Sequence, residues 1–233
     1  LPLNSKINSH ALNAGDIEMR LLEAGHHITM HSNLYYIWEF WNCLNTEPYR
    51  IYHNAEYYHK QLRASDLVFY RDSWTRKFED PYQRSALFYL FNRYSDNGDF
   101  ASCELSKYNF SPLNLRSFDR FIQNLDTLDL KLTKEKDLTD DIRTLDDSKV
   151  LMIPIGYCSN TFLKPRSSSS PVRYFFNHTA LREHIDKKNH KILLVYKYND
   201  YVDSMYDEVI YINKFGKVTN NRELAEDMIV KNF

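Results

Sequence analysis

The chain has 233 residues, enough for one large or two small domains with a sizeable core. Hydrophobic residues at 43% and charged residues at 26% are globular proportions, and they exclude wholesale disorder. The 30 Lys plus Arg against 31 Asp plus Glu leave a net charge of −1, which excludes a global polycation but not a local basic face.

The pattern of apolar residues predicts a helix over Gly15 to Gly25, with Ile17, Leu21 and Leu22 on one stripe and Gly25 as C-cap. A short strand centres on Ile28 to Met30, and the aromatic run Leu34 to Leu44 reads as a buried helix. Residues 46 to 80 are polar and helical, rich in Tyr, Arg and Lys. Asp80-Pro81 is a helix start, Asp as N-cap and Pro in the first turn, for a helix running on to Tyr94. Turn chemistry fills 95 to 112, with Asn97-Gly98 as the sharpest signal, and a loop or β-hairpin is expected there. Leu115 to Leu125 is helical, with Phe118, Phe121, Ile122 and Leu125 on one face. Val150 to Ile155 and Lys191 to Tyr196 are short buried strands. Thr179 to Lys187 reads as a short helix, and KPRSSSSP at 164 to 171 as a low-complexity loop. Glu208 to Ile212 and Asp227 to Val230 are closing edge or hairpin strands. Apolar strands alternating with helices at both ends predict an α/β sheet, with the basic helical middle as an insertion.

Five glycines in the whole chain argue against a Gly-rich phosphate loop. The 18 Tyr and 14 Phe suit a core with polar edges, and equally a surface that touches nucleic acid or protein. No run of about 18 apolar residues occurs, so no transmembrane helix is expected. Cys43, Cys103 and Cys158 are scattered and odd in number, which fits neither a disulfide framework nor a metal site and suits a reducing compartment. His26, His27 and His31 lack Cys or carboxylate partners at useful spacing, so metal is not expected.

The order of the pieces resembles the Dam-like family of DNA adenine-N6 methyltransferases, the D12 class, from about Gly15 to Phe233. The patch DPYQRSALFYLFNRYSDNG, residues 80 to 98, resembles the family's L-N-R-x-x-x-N-G string in Asn92-Arg93 and Asn97-Gly98. Lys107-Tyr108-Asn109-Phe110-Ser111-Pro112 is similar to its G-x-F-N-V-P hairpin. KILLVYKYND and EDMIVKNF resemble two of its late strands. The resemblance implies a Rossmann-like methyltransferase sheet with a helical DNA-recognition insertion: residues 1–45 and 146–233 as the α/β domain, 46–145 as the insertion.

The family's functional motifs are not kept. Its D-P-P-Y, which grips the target amino group and stacks on the flipped base, falls on Ile153-Pro154-Ile155-Gly156, without carboxylate or ring. Tyr157 supplies an aromatic only if the register shifts by one. Its glycine loop for S-adenosylmethionine falls on Ala11 to Gly15, where Asn13 and Gly15 are the vestigial positions, and its ribose-binding acid falls at Met30 to Asn33, leaving Ser32 or His31. The N-terminal segment that closes over the cofactor has no counterpart in residues 1 to 10.

The expectation is therefore a catalytically impaired homologue that needs no cofactor. It acts by binding duplex DNA, or by pairing with an active methyltransferase subunit or with its own copy. The DNA contacts expected from the resemblance are Asn92, Arg93, Asn97, Lys107, Tyr108, Asn109 and Arg116. The basic residues of the middle segment, Arg71, Arg76, Lys77, Arg84 and Arg120 among them, are nearly balanced by nearby carboxylates, so a plain solvated face competes with that reading. Two alternatives stand beside it: an active S-adenosylmethionine-dependent enzyme with variant motifs, and a protein-interaction module without DNA or cofactor. The expected place is the cytoplasm or nucleoid, or the nucleus or viral factory for a eukaryotic virus.

Overall fold

Short apolar runs separated by helices build the sheet in the computed structural model, which describes residues 1–10, 15–32, 34–96, 104–123, 133–134, 149–154, 182–183, 186 and 191–233. Among them the strands are β1 (Lys6–Ser9), β2 (His27–Ser32), β3 (Thr133–Lys134), β4 (Lys149–Pro154), β5 (Lys191–Lys197), β6 (Val209–Asn213), β7 (Val218–Thr219) and β8 (Ala225–Lys231). They form one mixed sheet in the order β3-β2-β1-β4-β5-β8-β6-β7. The first five are parallel, β8 runs antiparallel to both β5 and β6, and β7 runs antiparallel to β6.

The strand β1 escapes the sequence pattern. KINS carries one apolar side chain, yet the strand is central, with Ile7 opposite Ile28 on one side and Val150 on the other. By contrast β4 reads clearly because both its faces are buried. Val150 and Met152 face one apolar cluster, and Leu151 and Ile153 face the other. The alternation follows directly from the two-residue period of a strand.

The first cluster is covered by helices. They are α1 (Asp16–Glu23), α2 (Tyr35–Thr46), α3 (Pro48–Gln61), α4 (Ala64–Lys77), α5 (Pro81–Tyr94) and α6 (Pro112–Gln123). The long polar stretch 46 to 80 splits into α3 and α4 at Leu62-Arg63, where the backbone is extended and Asp66 accepts a hydrogen bond from the Arg63 N–H. Asp80 caps α5 as its sequence predicts, accepting from the Tyr82 N–H at 2.9 Å with Pro81 in the first turn. Residues Ser85 to Asn92 of α5 are all buried, so α5 is the hub on which α2, α3 and α6 pack. Rings join these helices: Tyr89 lies 4.6 Å from Phe118, and Phe40 lies 5.3 Å from Phe88. Ile7, Met30, Val150 and Met152 of the sheet share this cluster with α2 to α6, so the helical region shares its core with the sheet.

A charged strut adds to that joint. Arg84 of α5 donates to both carboxylate oxygens of Glu39 in α2 and to the carbonyls of Phe78 and Glu79. Arg84, one of the basic residues expected to contribute to a DNA-facing surface, thus faces inward. Within the aromatic run Leu34 to Leu44, expected to form a buried helix, the stripe Tyr35, Trp38 and Trp41 divides. Trp41 is fully buried, Trp38 is half-buried, and Tyr35 is exposed with its hydroxyl donating to Glu39. A step of three residues drifts about 60° per step round a helix, so the stripe leaves the core face.

Candidate functional site

The strand order reverses direction between β1 and β4. In an open parallel sheet, ligands lie in the crevice at the carboxyl ends of the strands at such a point. Here that edge is formed by Ser9 at the end of β1 and His10 after it, His31 and Ser32 of β2, and Ile153-Pro154 of β4.

Two contacts join polar side chains at this edge, a hydrogen bond and a ring stack. Ser9 is wholly buried and its hydroxyl donates to the Glu18 carboxyl at 2.5 Å. Glu18 is 1% exposed and sits three residues after Gly15, in the first turn of α1. Burial pushes its pKa up; hydrogen bonds from Ser9 and from its own backbone N–H work against that shift. An acidic side chain in the first turn takes the place that an external anion would occupy at a helix N-terminus. His10 continues the ladder, its N–H donating to the Met152 carbonyl. Its ring stacks on His31 with centroids 4.2 Å apart and planes 6° from parallel.

The expected cofactor residues have other duties. The Ser32 hydroxyl accepts from the Leu34 N–H at 3.2 Å and so shapes the entry to α2. Gly15 has φ 82°, and a Cβ built on it would overlap the Trp41 indole. Its missing side chain is therefore filled by α2, and the positive φ demands glycine on its own. Ile153 is fully buried in the second apolar cluster. Pro154 ends β4 opposite Val195. Asn13, Asn97, Ile155, Gly156 and Tyr157 lie outside the described residues. The described residues do not fit S-adenosylmethionine: no carboxylate stands at the end of β2, Ser32 is engaged, and the glycine faces a tryptophan. Among the described residues no group of three or more His, Cys, Asp or Glu could hold a metal ion.

The expected DNA residues separate into three kinds. Asn92 is buried inside α5. Lys107 and Asn109 brace a 3₁₀ turn, Lys107–Asn109, against the ends of two helices. The Lys107 ammonium donates to the carbonyls of His59 and Leu62 at 2.6 Å each, capping the C-terminus of α3. The Asn109 amide donates to the Tyr94 carbonyl at 2.7 Å and to Asp96 at 2.8 Å, which closes the end of α5. Both are structural ties. An antiparallel bridge between Ser95 and Leu105 completes the hairpin-like joint that the turn signals predict.

The third kind faces outward. Tyr108 and Arg116 are exposed, as is Arg120 one turn further along α6. Arg93 is half-buried and donates to the Asn114 side chain at 3.3 Å, so α5 and α6 meet beside this surface. His59 lies under the turn, with its Nδ1 3.0 Å from the Tyr94 hydroxyl. Burial lowers its pKa first, and the charges of Lys107 and Lys60 add to that.

Sequence reasoning missed Ser9, His10 and Glu18 in the crevice, and the Glu39–Arg84 strut. Glu18 alone carried a signal, an acid three residues past a helix-starting glycine. The others are set by pairing across the sheet and by contacts over 45 residues of chain. No helix of the described residues is long and apolar enough to cross a membrane. Comparison with models of known protein families finds no match, and comparison with curated proteins finds none either.

Proposed function

We propose that the chain is a catalytically impaired relative of the Dam-like DNA adenine-N6 methyltransferases, and that it acts by binding duplex DNA without S-adenosylmethionine. It binds either alone or beside an active methyltransferase subunit. The observation that carries this reading is the crevice itself. The strand order and the reversal between β1 and β4 suit a cofactor-binding sheet. The polar groups at that reversal are turned on one another, in the Ser9–Glu18 hydrogen bond and the His10–His31 stack.

Support for the DNA half comes from α5 and α6. Arg116 and Arg120 are exposed cations one turn apart on α6, and Arg93, half-buried at the α5–α6 contact, adds a third charge for phosphates to meet. Phosphate contacts position a protein on a duplex and carry its salt dependence. Loss of the carboxylate at the D-P-P-Y position removes a contact worth about 3 kcal/mol at a transition state, which weighs against the active alternative.

The test is titration calorimetry with S-adenosylmethionine, in the presence and absence of duplex DNA. The expected result is no heat from the cofactor in either case, with heat on adding duplex. Micromolar cofactor binding would overturn the reading and return the chain to the active class.

A further inference from the structure

We propose that Tyr108 is a base-stacking wedge, which the fold displays on a braced turn. The proposal rests on the DNA-binding reading above and deepens it. Tyr108 is 99% exposed, the most exposed large apolar side chain among the described residues. Its four neighbours are all anchored. Ser106 donates its N–H to the Tyr94 carbonyl, and its hydroxyl accepts from the Tyr108 N–H at 3.3 Å. Lys107 holds two carbonyls at the end of α3, and Asn109 holds Tyr94 and Asp96 at the end of α5. Phe110 is 5% exposed, with its ring 4.5 Å from that of His59 and 5.7 Å from that of Tyr94.

Five consecutive residues thus divide four to one. Four fix the turn, and the middle one carries a phenol ring into water. The backbone that presents the ring is ordered before any partner arrives, so little further ordering is needed on binding. Tyr itself has only two side-chain torsions to fix. A ring held this way beside cations suits a nucleic acid, where phosphates meet the cations and a base or base step meets the ring. Cations lie on the adjoining helices: Lys107 holds the carbonyls of His59 and Leu62, which are followed in the chain by the exposed Lys60, paired with Glu56, and the exposed Arg63, and Asn109 binds the carbonyl of the residue after Arg93.

The experiment uses short duplexes in which 2-aminopurine is stepped along the sequence, with the full chain and its Tyr108→Phe and Tyr108→Ala variants. Binding is followed by anisotropy across a salt series, and stacking by 2-aminopurine fluorescence. Wild type and Tyr108→Phe are expected to bind alike and to change the fluorescence at one position of the series. Tyr108→Ala is expected to lose that change and to bind roughly 5- to 150-fold more weakly, the range of one base–aromatic stack, with an unchanged salt slope. The exposed ring supports nothing in the fold, so all three proteins should melt together. The proposal fails by itself if Tyr108→Ala binds and reports as wild type does, or if its salt slope falls. If wild type binds no duplex, the DNA-binding reading fails and the wedge with it.

Discussion

The crevice at β1 and β4 and the turn at residues 106 to 110 are both built from polar residues, but they direct them oppositely. In the crevice, Ser9, Glu18, His10 and His31 are buried and face one another. In the turn, Ser106, Lys107 and Asn109 bind backbone groups behind them and leave a ring in front. A buried polar group must find its partners inside the fold, because its desolvation is otherwise uncompensated. A buried pair such as Ser9 and Glu18 has less to offer a ligand. A turn whose polar groups are tied backward keeps its outward surface available.

The joint between the sheet and the helical region is the most sensitive to substitution. Glu39→Ala leaves the half-buried Arg84 with only the carbonyls of Phe78 and Glu79, and a loss of about 3 kcal/mol, the low end for removing one member of a buried pair, is expected. Urea unfolding measures it; a loss below about 1 kcal/mol, the range of a surface pair, would mean that α5 is not held by this strut. Next comes Gly15→Ala. Its new methyl meets the Trp41 indole at a positive φ, and overpacking of this kind costs about 1–3 kcal/mol. An unchanged melting temperature would return Gly15 to the status of a cofactor residue.

Lys107→Met keeps the stem and removes the charge that caps α3. A loss of about 1.5 kcal/mol or more is expected for a hydrogen bond to a charged group, together with faster amide exchange near Leu62. The variant should also raise the His59 pKa, since the Lys107 charge helps to hold it down. A stability unchanged from wild type would make Lys107 a surface residue again, open to phosphate.

The smallest expected effect belongs to Glu18→Gln, and it is a pH signature. The unfolded carboxyl titrates near 4.5, and burial raises the folded value above that. The folded state therefore holds the proton more tightly, so the wild-type contribution is most favourable below the unfolded value and declines as pH rises through the folded one. The amide does not titrate. Unfolding free energies measured from acid to neutral pH should diverge in favour of the glutamine variant as pH rises. Divergence on acidification instead would mean that Glu18 is charged in the folded state.

Much of the scaffold was legible because it follows local rules. Buried parallel strands such as Val150 to Ile153 read as unbroken apolar runs, and Asp80-Pro81 announces a helix start by capping chemistry. The strand β1 was not legible, since Ser9 and Asn8 are polar and only the neighbouring strands make KINS a strand. For the candidate DNA residues the sequence offers positions without directions. The resemblance that flags Lys107, Tyr108 and Asn109 is blind to direction. The fold turns the first and third inward to helix ends and the second outward. Contacts such as Arg84 to Glu39, far apart in the chain, have no local signature at all.

The most direct measurement is duplex-DNA affinity across a salt series, with and without S-adenosylmethionine, for wild type and Arg116→Ala. The account predicts binding that weakens steeply with salt, a slope smaller by about 1 in the variant, and no response to the cofactor. Absence of duplex binding, or binding that tightens when the cofactor is added, would contradict it.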